Sequence, residues 1–118
     1  MTEPVRIMVA DDQAMIRDAL ATLLQLEPGI DVVEKATDGQ DVLDKLADLE
    51  RRGESIDVVI VDIEMPRLDG LTTCAALRRR VPQTKVLIVT TFGRPGYVQR
   101  ALEAGAGGFI VKDSPFQN

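Results

Sequence analysis

The fold is decided by residues 58–70, which read VVIVDIEMPRLDG. Four β-branched residues lead directly into the carboxylate of Asp62, and such a run is typical of a strand that is buried on both faces. Pro66 cannot extend this strand, and Asp69-Gly70 is a turn signal. The segment therefore predicts a buried strand that delivers Asp62 to the rim of a sheet. The alternative, for Asp62 taken alone, is a carboxylate that only begins a turn.

Similar apolar runs alternate with amphipathic stretches along the rest of the chain. Strands are predicted at residues 5–10, 30–34, 56–61, 86–89 and 109–111, and helices at about residues 14–26, 42–52, 71–80 and 98–105. This alternation indicates an α/β fold, in which right-handed crossovers place helices on both faces of a doubly wound, five-stranded parallel sheet. The polar–apolar alternation of residues 30–34 favours an edge or half-covered position in that sheet.

The length of 118 residues suits one domain with a sizeable core. A fifth helix is absent or barely begun after Lys112, and Ser114-Pro115 could begin it. Residues 1–118 are therefore expected to be a fragment of something longer. Without the fifth helix, apolar sheet surface would be uncovered, so we expect the fragment to self-associate or to swap a segment.

Composition excludes several classes of protein. The formal net charge of −5 makes the domain a poor candidate for binding nucleic acid. No apolar run approaches the roughly 20 residues that a membrane span needs, and the N-terminus lacks the form of a signal peptide. The single Cys74, which we expect to be a core residue, cannot form an internal disulfide. Together these features predict a protein of the reducing cytoplasm.

The carboxyl ends of the predicted strands carry the reactive side chains. Asp11 and Asp12 follow the first strand, Asp62 follows the third, Thr90 ends the fourth and Lys112 follows the fifth. The second strand contributes nothing comparable. In an open parallel sheet, ligands bind outside these carboxyl ends, at the point where strand order reverses. The chain contains no histidine, so a histidine base, phosphoryl carrier or metal ligand within it is excluded.

This set of groups suits a metal and a phosphoryl group. Three carboxylates in contact repel one another and raise one another's pKa unless a cation joins them. Mg²⁺ fits such an all-oxygen set, and Mn²⁺ is a possible substitute. Asp62 is the predicted nucleophile, which would form an acyl phosphate by attacking phosphorus. The metal and Lys112 would offset charge on the phosphoryl oxygens.

Most of these residues also have a structural alternative. Asp12 could cap the first helix, and Asp11 could be a solvated turn residue. Thr90 could simply end a strand, and Lys112 could extend its ammonium group from a strand end to solvent. The arginines at residues 78–80 are predicted to form a solvated helix end, where cations suit the helix dipole.

Four ordered segments resemble the receiver domain of two-component response regulators, most like the NarL/FixJ-type subgroup. They are IMVADDQ at residues 7–13, VDIEMPRLDG at 61–70, VTTF at 89–92 and AGAGGFIVKD at 104–113. The resemblance covers essentially the whole chain. It implies a flavodoxin-like sheet with the strand order 2-1-3-4-5, which is known for this family.

The resemblance also implies roles for the site residues. Asp62 would be the phosphoacceptor and would take a phosphoryl group from a partner sensor histidine kinase. Asp11, Asp12 and Asp62 would bind Mg²⁺ together with the backbone carbonyl of Glu64, and Lys112 would pair with the phosphoryl group. The domain would not be an enzyme with a separate substrate; it would carry out only Mg²⁺-dependent self-phosphorylation and slow autodephosphorylation.

Thr90 and Phe109 would form the switch of such a domain. The Thr90 hydroxyl would move onto a phosphoryl oxygen, and the Phe109 ring would turn inward. The added charge would bias a two-state element, so that the fourth helix presents a different face to partners. The expected partners are the kinase and a second copy of the chain, with no membrane. DNA would be contacted only through a LuxR-type output domain beyond residue 118.

Two other functions stay open on the sequence. A phosphohydrolase or phosphotransferase could form an aspartyl phosphate on a similar sheet, but such enzymes usually place an Asp two residues after the nucleophile. Here that residue is Glu64, and no insertion is long enough to form a substrate cap. The other function is a receiver-like interaction module that is never phosphorylated. The acidic pair, Asp62, Thr90 and Lys112 argue against it.

Overall fold

Strands and helices alternate along the chain in the computed structural model. The strands are β1 Val5–Ala10, β2 Ile30–Ala36, β3 Val58–Val61, β4 Lys85–Thr90 and β5 Gly108–Val111, and the helices are α1 Ala14–Gln25, α2 Gly39–Arg51, α3 Gly70–Arg80 and α4 Tyr97–Glu103. The structure describes residues 3–63, 65, 67–90 and 97–111, and for residues 90, 97, 98, 109 and 111 it describes the backbone alone.

The strands form one parallel sheet in the order β2-β1-β3-β4-β5. The predicted α/β class and parallel sheet are confirmed. β2 lies at an edge, as the alternation of its side chains predicted. The expected absence of a fifth helix concerns residues 112–118, which lie outside the described residues.

The two faces of the sheet bury two separate cores. In β1, Met8 and Ala10 belong to the core beneath α2, α3 and α4, whereas Ile7 and Val9 belong to the core beneath α1. This division follows from the two-residue period of a strand, which points successive side chains to opposite faces. Because helices lie on both faces, the central strands read as continuous apolar runs, and their carboxyl ends are where polar side chains can gather.

Aspartates begin two of the helices. The side chain of Asp38 accepts a hydrogen bond of 2.8 Å from the amide of Asp41 at the start of α2, and Asp69 does the same for Thr72 at the start of α3. Each carboxylate satisfies a backbone amide that the helix itself cannot. The caps also fix where the loops after β2 and β3 end.

The edge strand β2 is covered in part by a side chain from α1. The amide nitrogen of Gln25 donates to the carbonyl of Ile30 over 3.3 Å, and its carbonyl oxygen accepts from the amide of Val32 over 2.9 Å. One glutamine thus occupies both a donor and an acceptor of an edge that could otherwise pair with another strand.

Two structural predictions on α3 have different outcomes. Cys74 is fully buried in the core, as predicted. The prediction of a solvated helix end is wrong for Arg78, which is half-buried and donates a hydrogen bond of 2.7 Å to the carbonyl of Pro82; Arg79 and Arg80 are exposed. None of the helices in the described part of the chain combines the length and apolar character that crossing a bilayer requires.

Candidate functional site

Three carboxylates meet at the carboxyl ends of β1 and β3. The two strands are neighbours, and Ala10 pairs with Val61 at their ends. Asp11, Asp12 and Asp62 follow directly, and each offers a carboxylate oxygen within 4.8 Å of the others. The three carboxylates therefore meet at the rim of the sheet, as the sequence predicted, because the ends of adjacent parallel strands lie side by side.

The three carboxylates differ in their access to solvent. Asp11 is 4% exposed and Asp62 is 9% exposed, whereas Asp12 is exposed. Like charges this close are unfavourable in a partly buried site unless a cation joins them. The donor set is all oxygen, and the side chain of Asp12 reaches solvent. It fits Mg²⁺, which binds one or two carboxylates, retains water and accepts phosphate oxygens.

The structure contradicts both structural alternatives for the acidic pair. Helix α1 is preceded by Gln13, which makes no side-chain capping hydrogen bond, so Asp12 does not cap this helix. Asp11 is buried, not solvated, and its carboxylate accepts a hydrogen bond of 3.0 Å from the amide of Gln13. Its carbonyl accepts one of 2.9 Å from the guanidinium of Arg17. These contacts from Gln13 and from α1 hold Asp11 in place at the rim.

The first turn of α3 holds the backbone around Asp62. The amide of Gly70 donates to the carbonyl of Ile63 over 2.9 Å, and the amide of Met65 donates to the same carbonyl over 3.2 Å. Gly70 lies so close to Asp62 that a Cβ atom there would collide with the Asp62 carbonyl. Glycine is therefore required at the start of α3, and its approach fixes the residue next to Asp62.

A further ion pair, which the sequence did not reveal, braces the loop after β3. Asp38, at the end of β2, receives Arg67 through Nε at 2.8 Å and through Nη2 at 3.0 Å. This fork-shaped contact is the strong form of an arginine–carboxylate pair. It holds the pKa of the Asp38 carboxyl below its usual range, mainly through the hydrogen bond from Arg67. The end of β2 was expected to supply nothing of this kind.

Two local signals could have drawn attention to this pair. Asp38 follows a predicted strand directly and stands three residues before Asp41, which suits a helix cap. Arg67 is the only cation between Asp62 and Gly70. Neither signal shows that Asp38 and Arg67 pair with each other, because the two residues lie 29 positions apart in the sequence.

The other predicted site residues are placed only in part. Thr90 ends β4 and pairs with Val111 of β5, while Phe109 pairs with Ile88. The backbone thus puts Thr90 at the same rim of the sheet as Asp62, two strands from Asp11. Lys112 and Glu64 lie outside the described residues.

Comparison with known proteins identifies the family. Residues 7–118 match the family model of the response regulator receiver domain. The chain belongs to this family. The resemblance seen in the sequence, to receiver domains of the NarL type, is confirmed by the relatives below.

Curated and solved relatives of this receiver domain span several kinds of protein. The transcriptional regulatory protein DesR of Bacillus subtilis is 44% identical over 111 residues, which are 94% of this chain and 52% of DesR. The receiver domain of the response regulator NarL from Mycobacterium tuberculosis is 34% identical, with a TM-score of 0.81, over 97% of this chain and 88% of that one.

This chain also resembles a chain in the crystal structure of a CheX–CheY–BeF3–Mg²⁺ complex from Borrelia burgdorferi. The two sequences are 26% identical, and the structures match with a TM-score of 0.82 over 98% of this chain and 81% of that one. The receiver domain spans about half the length of the DesR protein it matches.

Proposed function

We propose that this receiver domain accepts a phosphoryl group on Asp62 from a phosphohistidine of a sensor histidine kinase. The observation that carries the proposal is the meeting of Asp11, Asp12 and Asp62 within 4.8 Å at the ends of two neighbouring strands. The donor imidazole lies outside residues 1–118, which contain no histidine.

The proposed transfer is a single displacement at phosphorus. A carboxylate oxygen of Asp62 forms the new O–P bond while the P–N bond to the donor imidazole breaks. The electron pair of that bond stays on the imidazole nitrogen. Asp62 becomes an acyl phosphate, and water later returns it to the carboxylate with release of inorganic phosphate. The domain therefore acts as a phosphoryl acceptor and has no separate substrate.

Asp11, Asp12, Asp62 and the backbone carbonyl of Glu64 would hold Mg²⁺, or Mn²⁺ in its place. When bound, the metal offsets the negative charge of the phosphoryl oxygens. The relation to the CheY complex, which contains Mg²⁺ and BeF3, supports this assignment. Two further groups complete the proposed site: the ammonium of Lys112 pairs with the phosphoryl group, and the hydroxyl of Thr90 donates to one of its oxygens.

The proposed output is a change at the α4–β5 side of the domain. Thr90 and Phe109 lie on the neighbouring strands β4 and β5, so a movement of one can be passed to the other. Phosphorylation then alters the surface that α4 offers to partners. Since DesR is a transcriptional regulatory protein, the change is proposed to act in the cytoplasm on a LuxR-type DNA-binding domain in a longer protein.

A second copy of the chain is a further proposed partner. Between α1 and the sheet lies an entirely apolar cleft of about 430 Å³, whose lining includes Leu20, Leu23, Leu87 and Ile110. Leu23 and Ile110 are also exposed, and apolar patches of this kind mark interaction sites. Sedimentation velocity should show a dimer that Leu23→Lys weakens. A monomer at all concentrations would refute the dimer.

Intact mass spectrometry tests the phosphoryl acceptor. The purified chain is mixed with acetyl phosphate and Mg²⁺, alongside Asp62→Asn and a control variant, Asp57→Asn, at the opposite end of β3. We expect wild type and the control to gain one phosphoryl unit. EDTA and Asp62→Asn should abolish the gain. A folded wild-type protein that gains nothing, or an Asp62→Asn variant that still gains it, would refute the proposal.

A further inference from the structure

We infer that the Asp38–Arg67 ion pair positions the loop after Asp62 for metal binding, an inference that rests on the function proposed above. Neither residue belongs to the carboxylate cluster. Arg67 lies on the loop that follows Asp62, and Asp38 holds Arg67. Both therefore affect metal binding only through the position of this loop and are positioning residues.

Arg67 has a backbone conformation that a side chain disfavours. Its φ angle is 66°, and it is the only non-glycine residue with positive φ in the described part of the chain. For an L-residue this left-handed region brings Cβ close to the following carbonyl. Such a conformation persists only where surrounding contacts hold it. The contacts of Arg67 are therefore expected to matter for the shape of the loop.

The guanidinium of Arg67 supplies one such contact. Nε and Nη2 donate to the two carboxylate oxygens of Asp38 at 2.8 and 3.0 Å. Asp38 is only 6% exposed and also caps α2 through the amide of Asp41. Because Asp38 cannot move without uncapping the helix, it is a rigid anchor for Arg67.

The adjacent residues reinforce the anchor. The amide of Gly39 donates to the carbonyl of Leu68 over 3.1 Å. A Cβ atom on Gly39 would collide with that same carbonyl, so the start of α2 and the loop approach as closely as two backbones can. Two successive residues at the start of α2 therefore hold two successive residues of the loop.

The described residues of the loop are held at two points, Ile63 and Arg67. Ile63 is held by the amide of Gly70, and Arg67 is held by Asp38. Residue 64, whose carbonyl is the proposed metal ligand, lies between these points in the sequence. Outer contacts that orient a ligand are known to set metal affinity. Loss of the ion pair is expected to loosen this ligand and leave the three carboxylates in place.

Three variants separate the charge, the side chain and the backbone conformation. Asp38→Asn removes the charge but keeps an oxygen that can cap α2. Arg67→Gly removes the guanidinium and relieves the left-handed strain, whereas Arg67→Ala removes the guanidinium and keeps the strain. Arg80→Ala, at an exposed arginine of α3, is the control.

Calorimetric titration with Mg²⁺ gives the first readout. We expect the dissociation constant to rise about tenfold in Asp38→Asn and in Arg67→Ala, the lower end of the range for outer-shell partners. The rise should be smaller in Arg67→Gly, because glycine adopts the left-handed conformation without strain. It should not change in Arg80→Ala. The double variant Asp38→Asn/Arg67→Gly should be no weaker than either single variant, since both remove one interaction. Dissociation constants within twofold of wild type in all variants would overturn the inference.

Two further readouts separate this inference from the proposed function. With acetyl phosphate, the variants should be slow at low Mg²⁺ and reach the wild-type rate at saturating Mg²⁺, a split that general destabilisation would not produce. In EDTA, the amides of Gly39 and Gly70 should exchange with solvent faster in the variants than in wild type. Unchanged exchange would overturn the positioning role. A wild type that accepts no phosphoryl group would instead refute the proposed function, and the exchange result would still decide the role of the pair.

Discussion

Gly70 lies directly against the backbone of Asp62, at the point where α3 begins. A Cβ atom on Gly70 would collide with the Asp62 carbonyl and would lie 2.8 Å from the Cα of Ile63. Because these are backbone atoms, side-chain rotation cannot relieve the overlap. We predict that Gly70→Ala lowers the free energy of unfolding by about 1–3 kcal/mol, the usual effect of overpacking. Urea denaturation measures this change.

Gly107→Ala is the matched control for Gly70→Ala. The nearest atom to a Cβ on Gly107 is the carbonyl oxygen of Val86 at 3.6 Å, an ordinary contact. Its effect on stability should stay within about 0.5 kcal/mol. Equal losses in the two variants would show that the close approach at Asp62 carries no special energy.

The Asp38–Arg67 pair predicts a pH dependence of stability. Arg67 lowers the pKa of Asp38 in the folded state, below the value of about 3.9 for an unfolded chain. Between those two values the unfolded state binds more protons, so stability falls as the pH falls. The stabilisation that the pair contributes is complete above the pKa of Asp38 in the unfolded chain. It is lost as the pH drops through the pKa of Asp38 in the folded protein.

Asp38→Asn isolates this contribution because Asn does not titrate there. The stability difference between wild type and the variant should be constant from about pH 5 to pH 7 and shrink below about pH 4. Urea denaturation at a series of pH values measures it. A difference that stays the same down to pH 3 would show that the charge of Asp38 contributes nothing.

The carboxylate cluster predicts opposite effects of a substitution with and without metal. Asp12→Asn removes one of three charges whose oxygens lie within 4.8 Å. In EDTA the variant should therefore melt higher than wild type, on the order of a few degrees. Mg²⁺ should raise the melting temperature of wild type more than that of the variant, because binding to the folded state stabilises it.

Asp44→Asn, on the exposed face of α2, should show neither effect of Asp12→Asn. Thermal denaturation followed by circular dichroism gives all of these values. An Asp12→Asn variant that melts below wild type in EDTA would mean that Asp12 is held by contacts stronger than the repulsion.

The core beneath α3 predicts a large loss on truncation. Leu77 is fully buried, so Leu77→Ala should lower the free energy of unfolding by about 2–5 kcal/mol. Leu102→Ala, at a residue that is 63% exposed, should change it far less. Chemical denaturation compares the two, and similar losses would contradict the burial of Leu77.

The contact between Gln25 and β2 predicts a change in hydrogen exchange. In Gln25→Ala the amide of Val32 loses its acceptor and should exchange roughly five- to tenfold faster, as expected for one lost hydrogen bond. Gln40→Ala, at an exposed glutamine of α2, should leave this amide unchanged. Nuclear magnetic resonance measures the rate at Val32 directly, and an unchanged rate in Gln25→Ala would show that β2 is protected in another way.

The fold and the acidic cluster were predictable because they depend on local patterns. A run such as residues 58–61 identifies a buried strand by itself, and the residue that follows it must lie at the rim. Once strands β1 and β3 are parallel neighbours, Asp11 and Asp62 are brought together without further information. The burial of Cys74 follows equally from its type and its place on α3.

The bracing contacts were not predictable, because each depends on a partner that is distant in the sequence. Arg67 could have pointed to solvent, and only the approach of α2 to the loop gives it Asp38. Arg78 belongs to a run of arginines that reads as a solvated end, yet the chain turns back at Pro82 and offers it a carbonyl. The local sequence around an arginine does not show which distant or turning segment of the chain will lie next to it.

The left-handed conformation of residue 67 limits which amino acids relatives can place there. Glycine adopts it without strain. Because glycine has no charged side chain, a relative with glycine at residue 67 needs no carboxylate at residue 38. Serine, threonine or asparagine could then cap α2 as well as aspartate does. A relative with arginine at residue 67 needs the acid. Across an alignment, the two positions should therefore vary together: arginine with aspartate, and glycine with any residue that caps a helix.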